Sequence, residues 1–287
     1  EHGVQNIRKV YNWTSHADTY LGHLETISSS KKQEPALASR LAQLEHLLVS
    51  DIDNTLTGDK EGAEALAAIL TKNQNKLGFA VATGRSLESA LEVLEAHAFP
   101  KPDILITAVG SEIHYADGQL QDKGWSNFIR RRWKPERIRK LLSELPALQL
   151  QQGEGTQRDY KISYTVVENA DIKQLMQTIR DLLDEQKAPC HLVLSHDTYL
   201  DILPYRANKG DAIQYISWKW KIDPTRIIAA GDSGNDRDMF SRQRKSIIVA
   251  NHEASLDSMK KSKHRFFASE ASAKGVIEGL KHFKVLS

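Results

Sequence analysis

The stretch LLVSDIDNTLTGD, residues 47–59, runs from an apolar segment directly into two aspartates one residue apart, followed by Asn54 and Thr55. Like charges this close at a strand end repel each other and cost stability. Either Asp51 and Asp53 sit in water as an ordinary turn, or something cationic holds them. The choice depends on what the rest of the chain brings to the same place.

Downstream of this stretch, apolar runs alternate with helical patterns. Strands read at 47–50, 78–82 and 104–108, with helices at 62–73 and 86–96 between them. The alternation returns later with helices at 209–220, 236–242, 254–261 and 274–283, and strands at 226–230, 246–250 and 264–268. The strands are short apolar runs without a polar face, as in a parallel sheet covered on both sides. The fold class is therefore α/β, a doubly wound, Rossmann-like parallel sheet.

Between the two blocks, 161–167 (KISYTVV), 191–194 and 198–203 read as strands, and 171–186 as an amphipathic helix, which indicates an α+β insert. The predicted organisation is a helical segment and linker over 1–43, the core over 44–117, the insert over 118–203, and the core again over 204–287. The linker is the polar run SSSKKQEPALAS, placed near 28–43.

Bulk properties exclude several classes. The net charge of +2 over 287 residues points to neither nucleic acid nor membrane. The run RRRWK at 130–134 reads as a solvated face. No apolar run approaches the roughly 18 residues of a membrane span. A single cysteine, Cys190, rules out an internal disulfide and fits a reducing, cytoplasmic compartment. The first residue is Glu rather than Met, so a fragment or a processed product is expected.

In an open α/β sheet, ligands bind beyond the carboxyl ends of the strands. Three polar clusters come directly after predicted strands: Asp51 to Thr55, Thr83-Gly84-Arg85-Ser86, and Gly231 to Asp236. A fourth, Asn208-Lys209-Gly210, precedes a helix. Together they supply carboxylates, a lysine, hydroxyls and glycine-exposed amides. That set suits phosphoryl transfer from a carbon-bound phosphate. A hard cation such as Mg²⁺ takes oxygen ligands and would keep Asp51 ionised. One carboxylate can attack phosphorus, and the one two residues on can protonate the leaving alkoxide. Thr83, Lys209 and backbone amides can spread charge over the phosphoryl oxygens.

The order DxDxT, TGRS, a lone Lys and GDSGND resembles the haloacid dehalogenase superfamily, and the position of the insert resembles members with a C2-type α/β cap. DIDNT, ATGRS, LITAVGSEIHY, KISY, DILPYRANKGDAIQYI, GDSGND and GLKHFKVLS are similar to the sucrose-phosphate phosphatase family. The resemblance implies Asp51 as nucleophile and Asp53 as general acid and base. It implies Mg²⁺ on Asp51, Asp53 (through its backbone carbonyl or its carboxylate) and Asp232, with Asp236 supporting that shell. Thr83, Gly84, Lys209 and Asn235 would hold the phosphate, and Arg85, Glu112, Lys161 and Asn208 the sugar. Glu112 and Lys161 read equally well as a surface-loop residue and a solvated strand position.

The implied activity is a Mg²⁺-dependent phosphatase for sucrose 6-phosphate. Another sugar phosphate, or a phosphosugar-binding regulatory domain without activity, are the alternatives. GVQNIRKVYNWTSHADTYL resembles the last helices of the glycosyltransferase domain of sucrose-phosphate synthase. That implies a synthase domain as a fused or associated partner.

Overall fold

The computed structural model describes residues 34–286 except 116–117, 154, 196, 241–243 and 260. The helices read at the N-terminus, before residue 28, lie outside the described residues. Residues 34–43 are helical rather than linker. Pro35 suits a first helical turn, and the Ala- and Leu-rich run after it favours helix. The chain partitions between Ala42 and Gln43, and the second unit carries both sheets.

The larger sheet begins with β1 (His46–Ser50), β2 (Leu77–Ala82), β3 (Ile104–Thr107), β4 (Glu112–Tyr115) and β5 (Leu120–Gln121). Its other strands are β10 (Ile227–Gly231), β11 (Lys245–Ile248) and β12 (Arg265–Phe267). Their spatial order is β12-β11-β10-β1-β2-β3-β4-β5. The first six are parallel neighbours, and β4 and β5 extend the β3 edge antiparallel. Chain order runs outward in opposite directions from the β1–β10 boundary, which makes that boundary the topological switch point.

Helices α1 (Lys60–Lys72), α2 (Leu87–Ala96), α3 (Lys123–Ile129), α4 (Pro135–Leu142), α5 (Ile172–Glu185), α6 (Lys209–Lys219) and α7 (Ser272–His282) occur in chain order. Leu66 and Leu70 of α1 and Val276 and Leu280 of α7 pack with Leu48, Phe79, Val81, Ile228 and Ile247 in one buried cluster. Each such side chain contributes about 1.5–3 kcal/mol on full burial. Asp59 caps α1 by accepting from the Gly62 amide, so the tight 54–58 turn separates β1 from its crossover helix.

The smaller sheet has the order β6-β7-β9-β8, from β6 (Leu148–Leu150), β7 (Ile162–Val166), β8 (Cys190–Ser195) and β9 (Tyr199–Pro204), all antiparallel. Ile162, Tyr164, Leu200 and Ile202 pack with Ile138 and Leu142 of α4 and with Ile179 and Leu183 of α5. Side chains alternate across a strand, so Ser163 and Asp201 lie on the opposite face. There Ser163 Oγ donates to Asp201 Oδ1.

Three expectations differ from the structure. Residues 120–129 run with the larger sheet rather than the insert, because β5 pairs with β4 and Trp125 is fully buried against Tyr215 of α6. The helix read over 236–242 is a 3-10 segment, Gly234–Phe240, jammed against α6: a Cβ on Gly210 would stand 2.2 Å from the Asp238 carbonyl oxygen. The helix read over 254–261 shortens to a 3-10 turn, Ala254–Leu256. Asp257 and Ser258 come next, and such side chains compete for backbone hydrogen bonds. Trp218 and Trp220, two apart at the end of α6, divide as helical spacing requires. Trp218 is exposed, and Trp220 sits edge-on to Tyr115.

Among the described residues, no helix is long and apolar enough to cross a membrane.

Candidate active site

The switch point brings the two acidic clusters together. β1 and β10 pair in register from Leu47 with Ile227 to Ser50 with Ala230. The Asp51 amide continues the ladder by donating to the Ala230 carbonyl at 2.9 Å. Asp51 and Asp232 therefore leave adjacent strands at the same edge. Thr55, fully buried, donates its hydroxyl to Asp232 Oδ1 at 3.0 Å and ties the first loop to the second.

Lys209, also fully buried, stands at the start of α6, and its Nζ donates to Asp51 Oδ1 and Asp236 Oδ1, both at 2.7 Å. Asp236 spends its other oxygen, Oδ2, on the amides of Asp232 and Ser233, at 3.0 Å each. Asp236 thus fixes both the loop and the lysine. Asp51, Asp232 and Asp236 each bring a carboxylate oxygen to within 4.8 Å of the others, and all three are buried. Among the described residues, three carboxylates here meet the single ammonium of Lys209, which leaves the cluster short of positive charge in a water-poor place.

Burial is the largest cause of the titration behaviour, and the crowded carboxylates add to it. Burial pushes the Asp51 carboxyl up to about 8, against the opposing pull of Lys209. Burial, then the neighbouring Asp236, pushes Asp232 up to about 7. Burial alone would depress Lys209, but Asp236 and Asp51 outweigh it and hold the ammonium above its usual value. The donor set is all oxygen and short of positive charge, which fits a hard divalent cation. Asp51 therefore does not sit in water as part of an ordinary turn: it belongs to a charge cluster assembled from strand-end loops and a helix start.

Asp53 lies apart from this cluster. Its half-exposed carboxylate pairs two-pronged with Arg85, Nε to Oδ2 at 2.9 Å and Nη2 to Oδ1 at 2.6 Å. The Asp53 side chain is thus not one of the three carboxylates that meet; of the two routes the resemblance offers it to the metal, backbone carbonyl or carboxylate, the carboxylate is paired with Arg85. Arg85 also donates to Ser89 Oγ at 2.8 Å. Thr83 is fully buried, and its Oγ1 accepts from the Arg85 amide at 3.2 Å. Asp51, Asp53, Gly84, Arg85, Asp232 and Asn235 line a cavity of about 280 Å³. Asn235 Oδ1 accepts from Ser233 Oγ at 3.1 Å.

The smaller sheet reaches the same place. Lys161, mostly buried just before β7, donates from Nζ to the Gly84 carbonyl at 3.4 Å and stands 3.5 Å from Asp201 Oδ2. Glu112, at the start of β4, accepts from Thr107 Oγ1 at 3.2 Å and lies 3.3 Å from His114 Nε2. Burial works to raise the Glu112 pKa, but the His114 hydrogen bond and the Arg158 charge prevail and hold it below the usual value. Glu112, His114, Gln157 and Arg158 contribute to a second cavity of about 830 Å³. Asn208 caps α6: Oδ1 accepts from the Asp211 amide at 2.7 Å, and Nδ2 donates to Asp211 Oδ2 at 2.9 Å.

Sequence reasoning left Thr55, Ser233 and Arg158 without a role. Thr55 and Ser233 stand inside motifs already singled out. Arg158 bridges Glu88 at 2.9 Å and approaches Glu112 at 4.0 Å, a pairing no local pattern encodes.

Residues 44–284 match the family model described as sucrose-6F-phosphate phosphohydrolase. Sucrose-phosphatase 2 of Nicotiana tabacum is 32% identical over 251 residues, covering 82% of this chain and 58% of the tobacco protein. The chain thus spans less than two thirds of the length of the tobacco relative. Mannosylfructose-phosphate phosphatase of Agrobacterium fabrum is 30% identical, covering 83% of this chain and 96% of that protein. The crystal structure of the sucrose-phosphatase from Synechocystis sp. PCC6803, in complex with sucrose and phosphate, superposes with a TM-score of 0.78 at 31% identity, covering 84% of this chain and 98% of that one. A haloacid dehalogenase-like hydrolase from Bacillus subtilis, 20% identical with a TM-score of 0.62, covers 85% of this chain and 94% of its own, and shares the fold.

Proposed function

Because the chain belongs to the sucrose-6F-phosphate phosphohydrolase family, we propose that its second unit hydrolyses the phosphate ester of a phosphorylated disaccharide, sucrose 6F-phosphate. The products are sucrose and phosphate. The observation that carries the reading is the buried Asp51 carboxylate, 2.7 Å from Lys209 and beside Asp232, in a cavity whose wall holds Asp53.

Asp51 is the nucleophile. Its free oxygen forms the bond to phosphorus as the bond from phosphorus to the sugar oxygen breaks. Asp53 gives its proton to the departing alkoxide, then takes one from the water that attacks the aspartyl-phosphate. That second displacement frees phosphate, restores the Asp51 carboxylate and leaves Asp53 protonated as it began. Lys209, Thr83 and the amides around Gly84 and Asn235 face the phosphoryl oxygens, where negative charge gathers in the transition state.

Asp51 and Asp232 are the side chains with an oxygen left to hold Mg²⁺, and Asp236 fixes their surroundings. When bound, Mg²⁺ supplies the positive charge that keeps Asp51 ionised at neutral pH. With its carboxylate paired to Arg85, Asp53 would add its backbone carbonyl to that set. Arg85 steers Asp53, and Lys161 and Glu112 meet the sugar from the two sides of the cleft. Domain limits track the two sheets, with the insert acting as a cap over the site. The single Cys190, whose thiol burial pushes up to about 12, agrees with a cytoplasmic setting. The N-terminal resemblance supports a fused or associated glycosyltransferase domain.

A second reading, a different phosphorylated disaccharide, rests on the match to mannosylfructose-phosphate phosphatase across nearly all of that protein. Phosphate release from a panel containing sucrose 6F-phosphate, mannosylfructose phosphate and glucosylglycerol phosphate separates them. The first reading requires the highest kcat/KM on sucrose 6F-phosphate. No turnover of any member would leave the phosphosugar-binding alternative.

A further inference from the structure

Between β3 and β4 the backbone makes an unusual turn. Ala108, Val109 and Gly110 have φ of 48°, 60° and 93°, three successive residues in the left-handed region, two of them with side chains. Residues with a Cβ persist there only where their surroundings over-determine them. Here they are held from two sides. The Ala108 amide donates to the Arg85 carbonyl at 2.8 Å, and the Val109 amide donates to the Thr83 carbonyl at 3.0 Å. The Val109 side chain lies under Gly84. On its other side the turn presses on α6. A Cβ on Gly110 would fall 2.3–2.5 Å from the backbone of Asn208 and Lys209, so only glycine lets the two segments approach this closely. The turn is a wedge between the loop that carries Thr83 and the helix start that carries Lys209.

One side chain holds the wedge from outside the site. Trp125 of α3 is fully buried, and its Nε1 donates to the Gly110 carbonyl at 3.1 Å. Its own amide donates to Asp122 Oδ1 at 2.9 Å, and its ring packs on Tyr215 of α6, centroids 5.2 Å apart. Trp125 therefore touches both the turn and the helix that the turn presses against. A phenylalanine would fill most of the space but would lack the N–H, and a buried Trp is well accommodated where its N–H has a partner.

We infer that Trp125 is a positioning residue for phosphoryl transfer, acting through the Ala108–Gly110 turn on Lys209 and on the 83–85 loop. The inference rests on the reaction proposed above.

The test is Trp125→Phe beside Tyr215→Phe. The control removes the Tyr215 hydroxyl, which donates to Asp122 Oδ1 at 3.0 Å in the same buried network, and leaves the Gly110 contact intact. Trp125→Phe lowers kcat on the order of ten- to a hundredfold, because small displacements of reacting groups are costly. KM stays near wild type, since no group facing the sugar has changed. Tyr215→Phe lowers the melting temperature with kcat within about twofold of wild type. Hydrogen–deuterium exchange supplies a readout independent of turnover: the Ala108 and Val109 amides exchange faster in Trp125→Phe and unchanged in Tyr215→Phe. Should Trp125→Phe fail to fold, benzothienylalanine at 125 keeps the shape and deletes only the N–H. Unchanged kcat in the variant lacking the N–H, or an equal loss in Tyr215→Phe, overturns the inference. If the wild-type protein turns over no sugar phosphate, the proposed reaction falls. Exchange at Ala108 and Val109 then still decides whether Trp125 holds the turn.

Discussion

Replacing Lys209 with methionine removes one charge from the centre of the cluster and keeps an unbranched side chain of similar reach. Lys209 is fully buried and bonded to Asp51 and Asp236 at 2.7 Å each, so the variant leaves three buried carboxylates with no ammonium. Removing one partner of a buried ion pair costs about 3–5 kcal/mol. At about 2–4 °C per kcal/mol for a unit of this size, the melting temperature falls by roughly 6–20 °C. The loss depends on pH in a fixed direction. A carboxyl whose folded pKa is raised keeps a proton that the unfolded chain has given up. Its contribution to stability therefore declines as pH rises from the unfolded value to the folded one. Asp51, raised to about 8, and Asp232, raised to about 7, already behave this way with Lys209 present. Without it both rise further. Near the acid end of the window Asp51 and Asp232 are protonated, so the missing ammonium costs less there. The assay is thermal unfolding followed by circular dichroism in EDTA at about pH 5 and about pH 8, where the variant's deficit is expected to be several degrees larger at the higher pH. An equal deficit at both pH values, or a negligible one at the higher, would refute the claim that Lys209 is the counter-charge of this cluster.

Three other outcomes are expected. Mg²⁺ raises the melting temperature of the wild-type protein more at about pH 8 than at about pH 5, because at low pH the cation competes with protons on Asp51 and Asp232; a shift independent of pH would place the cation elsewhere. Asp53→Asn lowers kcat about 10²–10⁴-fold on the sugar phosphate and much less on p-nitrophenyl phosphate, whose leaving group scarcely needs a proton; equal losses on the two would remove Asp53 as the general acid. Arg85→Ala shifts activity in the same leaving-group-dependent way, with stability changing by about 1 kcal/mol or less because the Arg85–Asp53 pair is partly solvated; a selective rise in KM for the sugar phosphate, with kcat intact, would return Arg85 to sugar binding alone.

The parallel core was legible because its strands are buried on both faces and read as plain apolar runs. The site was legible because a doubly wound sheet gathers the loops at the carboxyl ends of its strands. That rule puts Asp51, Asp232 and Asp236 at one edge, where their carboxylates meet, while Lys209 arrives from a helix start to bond Asp51 and Asp236. The hidden features depend on contacts between distant residues. The Arg85–Asp53 pair spans 32 positions and is set by how two loops face each other, so a motif reading gives Arg85 to the sugar and Asp53 to proton transfer and the metal without pairing the two. Asn208 stands beside Lys209, and its helix-capping bond to Asp211 appears only once the start of α6 is known. The antiparallel β4–β5 extension is short enough, with β5 only two residues, to be lost in a polar stretch. The left-handed turn at Ala108–Gly110 has a single glycine to announce it. Its other two residues belong to types that ordinarily avoid that conformation.

The central claim is that Asp51 carries the phosphoryl group between the two displacements. It is tested most directly by mixing the protein with sucrose 6F-phosphate and Mg²⁺, quenching in acid within a turnover, and mapping phosphate adducts by peptide mass spectrometry. The expected result is an adduct on Asp51, none when EDTA is present, and none in Asp51→Asn, which also releases no phosphate. Phosphate release without an adduct on Asp51, sustained in Asp51→Asn, would contradict it.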